Sequence, residues 1–316
     1  MNTLKETADF IASHDNFIII GHKNPDGDCV GSCSALCMAL RSLGKNAAVA
    51  FPSPVPKRLY FIWDDALSDV NFKAECAISV DVASDYMMND LYDNIYIKAK
   101  YRICIDHHGT NGGFGDVNYI DAKSAAAGEI VYDLINSMPA EISKEAAACL
   151  LVSIADDTGC FQYSNTTAKT HLTAAALYEK GIEADKIMKR LFGTNTREEM
   201  NILKIFTDHM EYYFDDKVCI SHITAEEVSG CGADMAQVDA WVGMPRSVSG
   251  VEAGVVFKIY SEKEVKVSLR SNEYTDVSAV AAAFGGGGHA RAAGVTMYEP
   301  YESAKEKILA ALEKLV

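Results

Sequence analysis

Phe17-Ile18-Ile19-Ile20 runs into Gly21-His22-Lys23-Asn24-Pro25-Asp26-Gly27-Asp28, and then into Cys29-Val30-Gly31-Ser32-Cys33-Ser34-Ala35-Leu36-Cys37; this passage decides the fold. The apolar run at 17–20 reads as a strand. From Cys29 to Leu43 the apolar spacing is helical, and Gly44 stops it as a residue tolerant of positive φ. A short apolar strand, a polar turn and a helix together predict one unit of a sheet covered by helices.

The same punctuation recurs downstream. Ala77-Ile78-Ser79-Val80 ends in Asp81, and Ile103-Cys104-Ile105 ends in Asp106-His107-His108. Ala47 to Phe51 reads as a further strand, broken by Ser53-Pro54-Val55-Pro56. Ser124, Ser143 and either Thr166 or Thr167 are expected to cap three alanine-rich helices. The expected class is α/β: a mostly parallel sheet with flanking helices over residues 1–190, a helical connector over 191–214, and a smaller α+β domain over 215–316. The last part shows strand-like runs at Val218 to Ile223, Val251 to Tyr260 and Val265 to Arg270. It closes on an amphipathic helix from Tyr301.

Composition narrows the function. The 316 residues exceed the usual size of one domain, and 49% hydrophobic with 23% charged residues is ordinary globular usage. No apolar run approaches the roughly 18 residues that suggest a membrane span, and no basic-then-apolar leader is seen at the N-terminus. Nine scattered cysteines are not spaced as a disulfide framework, so a reducing cytoplasm is expected. Cys29, Cys33 and Cys37 share one helix face, but among Val30, Ala35, Leu36 and Leu40 they read as packing. The formal charge of −15 and the lack of any Lys/Arg-rich run argue against tracking of long nucleic acid. A phosphate substrate would have to be short and drawn by a local device such as bound cations.

Where the acids and histidines fall supplies that device. In open α/β sheets the carboxyl ends of the strands form the ligand crevice, so His22, Asp26, Asp28, Asp81, Asp106, His107 and His108 can converge there. Ile154-Ala155-Asp156-Asp157-Thr158-Gly159, at the end of a helix-like run, offers a further acid. Taken singly, an aspartate after a strand is a turn former or a helix cap. Taken jointly, so many acids in one crevice repel each other unless cations intervene. Carboxylate mixed with imidazole suits Mn²⁺ or Mg²⁺, with Mn²⁺ favoured by the histidines. Two ions are expected, because two divalent charges balance four aspartates. Such a pair produces a bridging hydroxide and clamps an in-line displacement at phosphorus.

These segments resemble the motifs of the DHH phosphoesterase family, named for the triplet Asp106-His107-His108. The match includes His22-x-x-Pro25-Asp26-Gly27-Asp28 followed by Gly31-Ser32, then Asp81, the triplet and Asp157-Thr158-Gly159, in the family's order. Further on, Ser268-Leu269-Arg270-Ser271 and Phe284-Gly285-Gly286-Gly287-Gly288-His289 look like the family's associated C-terminal substrate domain, so the likeness spans nearly the whole chain. It implies one ion held by His22, Asp26 and Asp81, and another held by Asp28, Asp81, His107 and Asp157, with Asp81 bridging. It further implies that His108 contacts the scissile phosphate and that Asp106 orients a histidine. Asp157 is taken over Asp156 because it directly precedes Thr158.

Arg270, Ser271, Gly286, Gly287, Gly288 and His289 are expected to bind substrate: the glycines let backbone N–H groups approach a phosphate, and Arg270 and His289 add directed donors. By itself a four-glycine run is equally a flexible loop. The family's bacterial branch that degrades very short RNA and dephosphorylates adenosine 3′,5′-bisphosphate is the one most resembled. The resemblance therefore implies short RNA oligonucleotides and small nucleotides as partners. Rival readings are a phosphodiesterase for cyclic dinucleotides or their linear products, a manganese-dependent pyrophosphatase, and a nucleotide sensor without turnover. A homodimer is expected on frequency grounds alone.

Overall fold

A computed structural model describes residues 1–316. It divides into two compact units, Met1–Thr194 and Asn195–Val316, each with its own cores.

The first unit is built on a five-stranded sheet of order β2-β1-β3-β4-β5, parallel throughout. Its strands are β1 (Phe17–Ile20), β2 (Ala47–Ala50), β3 (Cys76–Val80), β4 (Tyr101–Asp106) and β5 (Val117–Ile120), and its helices are α1 (Leu4–Ala12), α2 (Gly27–Ser42), α3 (Ala127–Asn136), α4 (Lys144–Asp157), α5 (Ala168–Tyr178) and α6 (Ala184–Phe192). Strand side chains alternate between faces. Phe17, Ile19, Ile78, Val80, Ile103 and Ile105 bury against the helical layer of α2, α3 and α4. Ile18, Ile20, Ala48 and Ala77 bury on the other side, against Val82, Met88 and Tyr96. Both faces are covered, which is why these strands are apolar without alternation.

Chain order places β2 on one side of β1 and β3 on the other. The direction of winding therefore reverses between β1 and β3, where α/β sheets open a ligand crevice at their carboxyl ends. The turns after β1, β3 and β4, neighbours in the sheet, all open at this rim.

The second unit holds β6 (Glu211–Tyr213), β7 (Val218–Thr224), β8 (Ala253–Ser261), β9 (Glu264–Ser271), β10 (Gly287–His289) and β11 (Ala292–Met297), with α7 (Arg197–Asp208), α8 (Ala225–Gly230), α9 (Val277–Ala283) and α10 (Tyr301–Leu312). Its sheet order is β10-β11-β9-β8-β7-β6, antiparallel except for the β7–β8 pair. The segment 191–214, read from sequence as a connector, is shared out. Phe192 closes α6 of the first unit, whereas Ile202 and Phe206 of α7 are buried with Ile223, Val228, Val238 and Val256 of the second. No helix of either unit is long and apolar enough to cross a membrane.

Two local expectations differ from the structure. Ser143 and Thr167 do cap α4 and α5, but α3 begins after Ala126, with no cap from its own segment, and Ser124 is not its cap. The glycine run is ordered: Gly287 and Gly288 with His289 form the edge strand β10.

Candidate metal centre

The turn after β1 carries His22 and then Asp26, the N-cap of α2, whose carboxylate accepts the N–H of Cys29 at 3.0 Å. Asp28 lies in the first turn of α2 and is buried. Its Oδ2 accepts the N–H of Ala127 at 2.7 Å, and its Oδ1 accepts Gly128 N–H at 3.1 Å and the Ser153 hydroxyl at 2.5 Å. Asp28 thus supplies from about a hundred residues away the cap that α3 lacks locally, and the helix dipole there favours its negative charge.

Asp81 follows β3 in the left-handed region, φ +59°, an uncommon conformation for a residue with a Cβ. Its N–H still reaches Ile105 O at 3.1 Å, which holds the residue against β4. The consequence is a carboxylate aimed two ways. Oδ2 lies 3.5 Å from His22 Nε2, while Oδ1 lies 3.5 Å from His107 Nε2 and 3.6 Å from His108 Nδ1. Asp26 Oδ1 joins the first side, 3.7 Å from His22 Nε2. Asp28 and Asp157 join the other, at 3.6 and 3.5 Å from His107 Nε2.

Second partners fix the imidazoles. His22 Nδ1 lies 2.8 Å from Lys23 O and His107 Nδ1 lies 3.3 Å from Ser124 O. A carbonyl only accepts, so Nδ1 carries a proton in both rings and each Nε2 faces the acids, where its lone pair is available to an ion or, without one, to a proton. Asp106, fully buried, accepts from His107 N–H at 2.8 Å and from Asn111 at 2.7 Å, and its Oδ1 lies 2.8 Å from His108 Nδ1. Ser153 and Asn111 carried no signal in the sequence and Ser124 read only as a helix cap, because their roles here depend on chain segments brought from elsewhere.

Crowding perturbs the candidate ligands. Asp28 is pushed well above the usual carboxylate range, first by burial and then by Asp81 and Asp157. Asp157 is pushed up to about 7, chiefly by burial, with His107 pulling against it and Asp81 and Asp26 adding to it. Burial acts likewise on Asp81, but contacts with His107 and His22 outweigh it and hold this carboxyl below its ordinary value. Burial opposes charge on His107, yet Asp81, Asp28 and Asp157 raise it well above the usual imidazole range. Without cations, the histidines are drawn into the role of counter-ions.

Do these residues fit divalent metal? Asp81 Oδ1 is buried with no hydrogen-bond donor, a costly state for a carboxylate oxygen unless an ion takes its lone pair. Two close sets of potential ligand atoms, Asp81 with His107 and His108, and Asp28 with His107 and Asp157, lie on one side, and His22 and Asp81 lie together with Cys29 on the other. Oxygen and imidazole donors of this kind suit Mn²⁺ or Mg²⁺. The donor set fits. Asp156, the alternative to Asp157, points elsewhere: it accepts Gly27 N–H at 2.6 Å and pairs with Arg58 at 3.1 Å.

In the second unit, His289 is in register with Ala292 and Ala292 with Arg270, so Arg270 and His289 project from the same face two strands apart with a small residue between. Ser271 is buried, and its hydroxyl donates to Thr275 O at 2.6 Å, a role in holding the chain rather than in presenting a donor. Gly286 and Gly288 are required by close packing: a Cβ would meet Gly294 O at 2.3 Å or Ala292 O at 2.4 Å. Gly287 has open space around it.

A parallel α/β unit with acids and imidazoles gathered at its switch point, joined in one chain to a mixed-sheet unit, defines a class of two-unit α/β proteins whose crevice offers ligands for divalent ions. The model of the DHH family, N-terminal domain, matches residues 16–154, and that of the DHHA1 domain matches residues 215–316. The bifunctional oligoribonuclease and PAP phosphatase NrnA of Thermus thermophilus is 32% identical over 299 residues, 94% of this chain and 89% of the relative. The protein of that name in Bacillus subtilis is 26% identical over 96% of each chain. A crystal structure of an exopolyphosphatase-related protein from Bacteroides fragilis superposes with a TM-score of 0.91 at 25% identity, covering 98% of this chain and 95% of that one. The chain belongs to the DHH family and is a phosphoesterase, a hydrolase of phosphoester bonds.

Proposed function

We propose that this phosphoesterase hydrolyses very short oligoribonucleotides to mononucleotides and dephosphorylates adenosine 3′,5′-bisphosphate, using two divalent ions, Mn²⁺ by preference. The observation that carries the metal reading is Asp81, whose two carboxylate oxygens address two separate groups of ligands. His22, Asp26 and Asp81 would hold one ion; Asp28, Asp81, His107 and Asp157 would hold the other. When bound, such ions supply an activated water and offset charge developing on phosphoryl oxygens.

The chain's own residues do the rest. Asp106 holds Nδ1–H of His108, so the second proton of the imidazolium sits on Nε2, where it can pass to a leaving oxygen. Burial opposes that charge, but Asp106 and Asp81 raise the His108 pKa and keep the proton in stock. Asp106 itself stays an acceptor, fixed by Asn111 and the backbone. In the second unit, Arg270 and His289 on one sheet face would bind a nucleotide phosphate or ribose. The acidic net charge and the absence of a basic run favour short substrates over long ones.

The choice of substrate draws on the two oligoribonuclease and PAP phosphatase relatives. A manganese-supplemented panel tests it: RNA of two to about twenty nucleotides, adenosine 3′,5′-bisphosphate, cyclic di-AMP and pyrophosphate. Rates should be highest on the shortest RNA and on the bisphosphate. Faster turnover of cyclic di-AMP or pyrophosphate would replace this reading with one of the rival hydrolases.

A further inference from the structure

We propose that Asp156 is a positioning residue for the metal centre: its carboxylate ties the Asp26-Gly27-Asp28 turn to the end of α4 that carries Asp157, and Arg58 fixes its orientation. The inference rests on the two-ion reading above. Gly27 is the first residue of α2, and its N–H is one of the donors that a helix cannot satisfy internally. Asp26 already caps Cys29, so the Gly27 N–H goes to Asp156 Oδ2 at 2.6 Å across 129 residues of chain. One bond therefore joins the residue between two candidate ligands, Asp26 and Asp28, to the residue beside a third, Asp157.

Two further observations show that this contact is built in. A Cβ at position 27 would lie 2.5 Å from Asp156 Oδ2 and 2.6 Å from its Cβ, so the backbone of α2 approaches as closely as it does only because glycine is there. Arg58 grips both oxygens, Nη1 to Oδ1 at 3.2 Å and Nη2 to Oδ2 at 3.1 Å, the bidentate geometry that fixes a carboxylate plane. An exposed ion pair contributes little, but the Asp156 side chain is only 17% exposed against 50% for Arg58. Pairing with Arg58 also engages the first acid of the Asp156-Asp157 pair, so that it does not compete with its neighbour for an ion.

Calorimetric titration of the full chain with Mn²⁺ tests the inference, alongside kinetics at saturating Mn²⁺. Loss of a partner that orients ligands typically costs about 10–100-fold in metal affinity. Asp156→Ala should show a loss in that range, with kcat largely recovered once Mn²⁺ saturates, because no ligand has been removed. Asp156→Asn keeps an acceptor for Gly27 and should retain most of the affinity. Arg58→Ala, at a half-exposed position, should weaken Mn²⁺ binding several-fold and serves if Asp156→Ala does not fold. Unchanged Mn²⁺ affinity in folded Asp156→Ala, or in Arg58→Ala where that substitutes for it, would overturn the proposal. A wild-type chain that binds no Mn²⁺ would instead bring down the two-ion reading on which it stands.

Discussion

Asp81 concentrates the chemistry in one residue. Its left-handed backbone, its ladder bond to Ile105 and its position between His22 and His107 leave a carboxylate that no protein donor satisfies on one oxygen. Strain and an unmet acceptor together are costs that a fold retains where function needs them. Asp81→Ala removes the ligand shared between both groups, so turnover should fall well beyond the roughly 10–100-fold expected for an outer partner. The circular dichroism spectrum should be unchanged, since the substitution removes a buried carboxylate of which one oxygen meets no protein donor. Retained activity in Mn²⁺ would contradict the shared-ligand assignment. The histidines show the same logic from the other side: Lys23 O and Ser124 O choose their tautomers, and neither carbonyl can be picked out from residue types.

At the scale of elements, β10 is instructive. Its sequence reads equally well as a flexible loop, and what orders it is the backbone of β11, against which Gly286 and Gly288 lie too close for any side chain. Overpacking of this kind typically costs about 1–3 kcal/mol. Gly286→Ala should therefore lower the denaturation midpoint by a corresponding amount, whereas Gly287→Ala, with open space around it, should stay within about 0.5 kcal/mol. Equal effects in chemical denaturation would show that the strand is not packed as described. Helix α3 makes the complementary point. It lacks a local cap because Asp28 provides one, so a site residue also terminates a helix. Four strands of the first unit, by contrast, were legible, because burial on both faces writes itself as largely apolar runs, as at 17–20 and 103–105 and, with Ser79 alone interrupting, at 76–80; β5, only half-buried and carrying Asn118, was not read.

Taken whole, the chain places every candidate metal ligand in Met1–Thr194 and leaves Arg270 and His289 in Asn195–Val316. Its two tryptophans divide in the same way, Trp63 in one unit and Trp241 in the other. In a Trp241→Phe background, Trp63 fluorescence should report a higher unfolding midpoint in Mn²⁺, by about 2.7 kcal/mol at a hundredfold excess over Kd. The gain should shrink as pH falls from about 8 to 6, since protons compete for the same imidazoles and carboxylates, and it should vanish in Asp81→Ala. A gain that survives that substitution would place the ions elsewhere.

Residue order alone determined the parallel α/β core, the acids and histidines following its strands, and the family likeness, because hydrophobic period and strand-end position are local properties of the chain. It also brought Asp28, Asp81, His107 and the Asp156-Asp157 pair forward together, since repulsion among so many acids calls for cations wherever they meet, and the family likeness chose Asp157 of the pair. Tertiary structure decided what depends on distant partners. It joined Asp156 to Arg58 and Gly27, gave α3 its cap from Asp28, turned the end of the glycine run into a strand and moved α7 into the second unit. The first two rest on hydrogen bonds between residues about a hundred or more apart in the sequence, and the other two on packing against neighbouring elements of the second unit; neither kind of contact leaves a periodic trace in the chain that makes it.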